Sequence, residues 1–112
     1  MGEMIIYLIS SEINDSTLYK IGITKRNINK RLTELKTGNP ATLTVIHTFK
    51  SQYAPKIEKH FHISNAYNNR GGEWFQLSEH DINNFIPQCN LIHNNLTLLA
   101  KHNTWIIDKQ LL

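Results

Sequence analysis

Glu58 and His62 are four residues apart in a segment, 54–64, whose apolar residues recur with helical spacing. Side chains four positions apart lie one above the other on one helix face. A single carboxylate commonly holds Mg²⁺ together with a substrate phosphate and water. Glu58 is therefore a candidate metal ligand, with Mg²⁺ or Mn²⁺ as the cofactor. A four-ligand zinc site is not expected, because the chain has one cysteine and no His-x-x-x-His pair.

Tyr7 offers a phenol on the first predicted strand, residues 4–9. Its neighbours Ile6 and Leu8 point to the opposite face, so the phenol can be exposed while they are buried. A phenol with its ordinary pKa is a poor base at neutral pH and needs a cation or a metal-bound water beside it. The alternative is a strand tyrosine that covers the edge of the core.

Residues 19–36 form the most strongly basic stretch of the chain, with six basic residues against Glu34. Such a cluster is typical of a surface that contacts phosphates, although a solvated helix face is the alternative. Arg31 can make bidentate contacts to phosphate oxygens at any working pH, unless it pairs with Glu34. A nucleic acid is the partner that such a surface would contact, and the other predicted nucleic-acid contacts are Lys25, Arg26, Lys30 and Lys36.

Tyr19, Lys20 and Gly22 lie on the second predicted strand, residues 18–24. Because side chains alternate along a strand, Tyr19 and Lys20 must face opposite ways. If Lys20 faces Tyr7, its ammonium can lower the pKa of the phenol or contact phosphate, and we favour this arrangement. Gly22 allows either a close approach of backbone or DNA, or a bulge.

The remaining elements follow from local signals. A turn cluster at 11–17 predicts that the first two strands form a hairpin. Asn27 can cap a helix over 28–36, a β-branched run predicts a strand over 42–49, and 73–77 is a short extended piece. Ser78 opens a further helix that Pro87 should interrupt, and 88–100 is helical again. The order predicts an α+β sandwich in which helices flank a three-stranded, largely antiparallel sheet.

Length and composition limit the class of protein. A chain of 112 residues with 40% hydrophobic residues can build one modest core. No apolar run approaches the roughly 20 residues of a membrane-spanning helix, and the amino terminus lacks the basic region of a signal peptide. One cysteine suits a reducing compartment, so we expect a cytoplasmic protein with no membrane partner.

Four short motifs in this order resemble the GIY-YIG nucleases, and specifically their T5orf172 branch. The resemblance covers about residues 4–77. It begins with Ile5-Ile6-Tyr7 on the first strand and departs from the superfamily in one respect, since Lys20 stands where the second motif has its tyrosine. The motifs are YKIGIT, KRLTEL, Glu58-x-x-x-His62 and Gly72-Glu73-Trp74-Phe75.

The resemblance implies a metal-dependent DNA endonuclease that hydrolyses phosphodiester bonds. Tyr7, with Lys20 or Tyr19, would act on the attacking water, and Arg31 would stabilise the scissile phosphate. Glu58 would bind the metal. The alternatives are an inactive nucleic-acid-binding module of the same fold and a protein-interaction domain. By the same resemblance, His62 would contact phosphate or the water network, and Glu73 is a secondary candidate.

The predicted division is a nuclease-like core over 1–77 and a helical extension over 78–112 packed on the same domain. The extension carries more apolar residues than a tail in water should display. They should pack on the sheet face away from Tyr7, or pair with a second copy to form a homodimer. These residues are Ile82, Phe85, Ile86, Leu91, Ile92, Leu96, Leu99, Trp105, Ile106 and Ile107.

Overall fold

Two long strands form a tight hairpin at the start of the chain. The computed structural model describes the backbone of residues 2–111 and the side chains of residues 2–102. Strand β1 (Met4–Ile13) pairs antiparallel with β2 (Ser16–Thr24). Asn14 and Asp15 form the turn with φ of 50° and 62°, as a two-residue hairpin requires. The turn is therefore shorter than the cluster 11–17 suggested, and both strands are longer.

The sheet has five strands, not the three that we predicted. Strand β3 (Thr42–Ser51) pairs with the other edge of β1. The short strands β4 (Asn69–Gly71) and β5 (Trp74–Phe75) form a second hairpin, and β5 pairs with β2. The order is β3-β1-β2-β5-β4, and every pairing is antiparallel. Strands of two and three residues are too short to show an alternating pattern in the sequence.

The two predicted helices of the first half have the predicted bounds. Helix α1 (Ile28–Lys36) begins after Asn27, whose side chain accepts a hydrogen bond from the backbone N–H of Asn29 at 2.8 Å. Helix α2 (Ala54–Ser64) is followed by a 3₁₀ turn, Ala66–Asn68. Both helices follow strands of the central sheet, so each can pack back onto it.

The boundary between the two helices of the second half lies about one turn earlier than predicted. Helix α3 (Glu79–Asn83) starts with a capping box between Ser78 and Asp81. Helix α4 (Phe85–Leu111) begins after Asn84, and Pro87 lies within its first turn. Pro87 therefore does not interrupt a helix, because the first backbone N–H groups of a helix have no intrahelical partner to lose. No helix in the described part of the chain is both long and apolar enough to cross a membrane.

Helices cover both faces of the sheet. On one face, Tyr7, Ile9 and Leu43 pack against α1. On the other face, a larger core joins the sheet to α2 and the first turns of α4. The buried residues of this second core are Ile6, Leu8, Ile21, Ala54, Ile57, Phe61, Phe75, Phe85 and Cys89. Trp105, Ile106 and Ile107 lie outside the described side chains.

Candidate active site

Gly22 makes room for the ring of Tyr7. The two residues are paired across β1 and β2, and Tyr7 is fully buried. A Cβ added at Gly22 would lie 2.7 Å from Cζ of Tyr7, which is closer than atoms can pack. The β1–β2 register is continuous here, so Gly22 is not a bulge. The group that approaches it is the ring of Tyr7, and not the backbone or DNA that the sequence predicted. The expectation that Tyr7 is exposed is wrong, because α1 covers this face of the sheet.

Arg31 and Tyr7 form a hydrogen-bonded pair. Arg31 Nε donates to Tyr7 Oη at 3.3 Å. The surface ion pair of Arg31 with Glu34 is not formed, since Glu34 contacts Arg26 at 3.0 Å. Burial raises the pKa of Tyr7, and the charges of Glu73 and Glu58 raise it further, whereas the hydrogen bond and charge of Arg31 oppose them. The phenol is therefore protonated at neutral pH.

Lys20, and not Tyr19, lies on the Tyr7 face of the sheet. Position 20 shares its face with Gly22, the partner of Tyr7 across the hairpin. Tyr19 packs against the core on the opposite face, so the structure does not bring it to Tyr7. Lys20 Nζ lies 3.2 Å from Glu73 Oε1 and 5.3 Å from the centre of the Trp74 ring.

His62 connects α2 to the edge of β2 through a hydrogen bond. Its Nε2 lies 2.9 Å from the carbonyl oxygen of Ile21, which can only accept, so Nε2 carries the proton and donates. The imidazole also meets the ring of Phe75 edge-on, with ring centres 5.0 Å apart. This hydrogen bond commits Nε2 to the backbone of β2. His62 is thus placed to orient α2 through Nε2. Its predicted contact to phosphate or to water stays a prediction.

Glu58 lies near a second carboxylate and a cation. Burial raises the pKa of Glu58, and the charge of Glu73 raises it further, whereas His62 and Lys20 lower it. A half-buried carboxylate that is repelled by another gains from binding a cation. Carboxylate oxygens are ligands that Mg²⁺ prefers, and one or two of them are sufficient where a phosphate and water complete the shell. The residues present therefore fit a magnesium ion held jointly with a substrate.

The described residues contain no group of three or more His, Cys, Asp or Glu side chains able to hold a metal alone. An ion held here would take its remaining ligands from a substrate phosphate and water, as Mg²⁺ does in nucleotide chemistry. Glu58 would hold it from α2, and Glu73 would hold it from the turn between β4 and β5.

The candidate site residues lie together at the point where the pairing of β2 with β5 ends. Strand β5 pairs only with Tyr19 and Lys20, and the last contact is from the backbone N–H of Ile21 to the carbonyl of Glu73 at 3.2 Å. Beyond this point no strand of the described part of the chain pairs with this edge of β2, and α2 reaches it from one face of the sheet through His62. Tyr7 and Arg31 approach from the other face. The sequence missed Trp74 in this arrangement, although alternation from Phe75 places it on the Lys20 face.

Apart from Arg31, which is partly buried, the predicted phosphate-contacting residues of α1 and the loop before it are exposed. A shallow depression of about 290 Å³ is lined by Lys25, Arg26 and Arg31 among others, so basic surface adjoins the Tyr7–Arg31 pair. Lys30 and Lys36 are exposed on α1. The basic stretch therefore continues outward from the candidate site.

Comparison with known proteins identifies the family of the chain. The family model of the T5orf172 domain matches residues 4–90, which is most of the chain and includes the buried Phe85 and Cys89 of α4. No curated protein and no solved structure matches the chain. The chain belongs to the T5orf172 domain family, a nuclease-associated family that is GIY-YIG-like.

Proposed function

We propose that this protein is a metal-dependent endonuclease that hydrolyses phosphodiester bonds of DNA. The observation that carries the proposal is the convergence of the Tyr7–Arg31 pair with Lys20, Glu58 and Glu73 at the open edge of β2. This arrangement offers a phenol, two cations and two carboxylates to one phosphate. Membership of a nuclease-associated family supports it.

Arg31 would bind the scissile phosphate. Its Nε is engaged by Tyr7, while its two terminal nitrogens have no hydrogen-bond partner within the described residues. These nitrogens can contact two non-bridging oxygens and neutralise charge that develops in the transition state. The Tyr7 contact fixes the direction of the guanidinium, which reduces the entropy lost on binding.

Tyr7 would orient the attacking water. The side chain is fully buried, so this role requires a water molecule or phosphate oxygen to reach the hydroxyl beside Arg31. The oxygen accepts from Arg31, which leaves the hydroxyl hydrogen for such an acceptor. A phenol with a raised pKa keeps this proton at neutral pH and positions the water without deprotonating it. Lys20, held by Glu73, would add positive charge beside the phosphate.

Glu58 and Glu73 would hold Mg²⁺ or Mn²⁺. When bound, the ion supplies charge neutralisation at the phosphate and at the departing 3′ oxygen. Both carboxylates raise the pKa of Tyr7, which supports placing them on the side of the sheet edge that the phenol faces.

Nicking of supercoiled plasmid DNA tests this proposal. With Mg²⁺ or Mn²⁺ the wild-type protein should produce open circles, and EDTA should stop the reaction. Loss of one electrostatic group of this kind typically lowers the rate by ~10²–10³-fold, so Glu58→Gln should show no detectable nicking. Glu12→Gln is the matched control, because Glu12 is exposed near the tip of the first hairpin. A Glu58→Gln variant that nicks as fast as this control would refute the metal assignment.

A binding module without activity is the second candidate. The observation that favours it is the ion pair of Lys20 with Glu73, which joins a cation to one of the two carboxylates. Such a module would bind DNA with an affinity that falls as salt rises, yet leave plasmid intact with any divalent cation. A protein-interaction domain would show no salt-dependent affinity for DNA.

A further inference from the structure

Helix α4 has an apolar face that the rest of the domain does not cover. Leu91, Leu98 and Leu99 are 53%, 67% and 54% exposed, and we call these three side chains the outer face of α4. Phe85 and Cys89, in the first turns of the same helix, are buried in the core that joins the sheet to α2. Packing on the domain and pairing with a second copy are therefore open to different residues of one helix.

Helix geometry keeps the outer face away from the sheet. Successive residues of an α-helix are rotated by about 100°, so Leu98 lies about 180° around the helix axis from Cys89. The helix continues to Leu111, a rise of roughly 30 Å beyond Leu91. The molecule is accordingly long and narrow, with dimensions of 63 by 28 by 21 Å. A rotation of α4 that covered Leu98 would expose Cys89, so the sheet cannot bury both.

The spacing of the outer face is typical of helices that pair with other helices. Leu91 and Leu98 are seven residues apart, and in the sequence Trp105 and Leu112 follow at the same interval. A seven-residue apolar repeat keeps one side of a helix in contact with a second helix along its whole length. The repeat therefore indicates a helical partner for the outer face.

The chemistry of the helix favours a second copy of the chain as that partner. Residues 85–100 contain no Asp, Glu, Lys or Arg, so two copies meet there without like-charge repulsion, and an anionic surface finds no cation there to attract it. Asn95 is exposed between Leu91 and Leu98. Its amide both donates and accepts, so it can pair with the same amide of another copy, whereas in lipid it would lose its hydrogen bonds to water.

We propose that the outer face of α4 binds the outer face of a second copy, so that the protein is a homodimer joined by paired helices. Burial of the exposed leucines of both copies is the driving force. The residues of the proposed active site lie on other elements of the fold, so dimerisation and cleavage can be tested separately. Failure of either proposal leaves the other standing.

Sedimentation equilibrium of the full chain over a range of concentrations tests the proposal. The weight-average mass of the wild-type protein should rise with concentration from that of one chain to that of two. Leu98→Asp removes an apolar side chain from each half of the interface and adds a charge to each, so it should weaken association by about 10²-fold or more. Ile63→Asp is the matched control, because Ile63 is 66% exposed on α2, and this variant should associate as the wild type does.

Thermal melting provides the second measurement. The Tm of the wild-type protein should rise with protein concentration, and the Tm of Leu98→Asp and of a second variant, Leu99→Asp, should not. Both leucines are exposed in a single copy, so both variants should still melt cooperatively. A wild-type protein that stays a monomer at every concentration, whether or not it floats with phosphatidylcholine vesicles, would overturn the proposal. So would a mass above that of two chains, or a Leu98→Asp variant that associates as strongly as Ile63→Asp.

Discussion

Replacing Gly22 by Ala tests whether the ring of Tyr7 depends on this glycine. The new Cβ would lie 2.7 Å from Tyr7 Cζ, and the ring is fully buried under α1. Alanine gains about 0.4–1 kcal/mol by restricting the unfolded chain. Overpacking of a filled core costs about 1–3 kcal/mol, so the clash should dominate. We expect a lower free energy of unfolding and a fall in Tm of about 4 °C per kcal/mol.

A double-mutant cycle in urea, followed by circular dichroism, isolates the contact. Tyr7→Leu removes the atoms that the new Cβ meets, so Gly22→Ala should cost less in that background. The expected interaction energy between the two sites is about 1–3 kcal/mol. Gly2→Ala is the matched control, because a Cβ at Gly2 would meet nothing within 4 Å. Strictly additive effects, or a Gly22→Ala variant as stable as this control, would refute the packing argument.

The other predictions concern charge at the site and the C-terminal helix. Arg31→Lys should lower nicking by ~10²–10³-fold, since an ammonium lacks the planar fork that directs separate N–H groups at Tyr7 and at two phosphate oxygens; wild-type rates in this variant would argue against the guanidinium. The pKa of Glu58 is higher in the folded protein than in the unfolded chain. Ionisation of Glu58 therefore lowers the free energy of unfolding at a pH above its folded-state pKa, and this effect disappears at a pH below its unfolded-state pKa. Glu58→Gln should therefore raise Tm at neutral pH and lose this advantage in acid, and a scan of Tm against pH that shows equal shifts throughout would contradict it. Deleting 88–112 should give an insoluble or molten protein, because it removes buried Cys89 and the partner of Ser51, His93, at 2.7 Å; a fragment 1–87 that is soluble and melts cooperatively would show that the helix is dispensable.

The sequence predicted the elements whose signals are local and repeated. Helix α1 has both a capping asparagine and an apolar stripe, and α2 has an apolar stripe, so their bounds agree with the prediction. The helix start at Ser78 was also predicted from the sequence, and the structure has a capping box there. Strand β5 lies within the short extended piece predicted at 73–77, whereas its pairing with β2 and the whole of β4 were missed. These pairings come from contacts between strands that no short window of sequence reports.

The sequence identified the residues of the candidate site but not how these residues contact one another. Alternation along β2 left open which of Tyr19 and Lys20 faces Tyr7, and the pairing of Tyr7 with Gly22 decides it. Burial of Tyr7 and the engagement of His62 Nε2 by a carbonyl both depend on how helices pack on the sheet. Such long-range contacts set the protonation states of a site, and composition and spacing do not encode them.

The most direct test of the proposed chemistry is the cleavage of an end-labelled DNA oligonucleotide that carries an overhang, with the product ends identified on a denaturing gel. With Mg²⁺ the wild-type protein should release products with a 3′ hydroxyl and a 5′ phosphate, and Glu58→Gln should release none while melting as a folded protein. An oligonucleotide that stays intact with Mg²⁺ and with Mn²⁺, or a Glu58→Gln variant that cuts as well as wild type, would contradict the account.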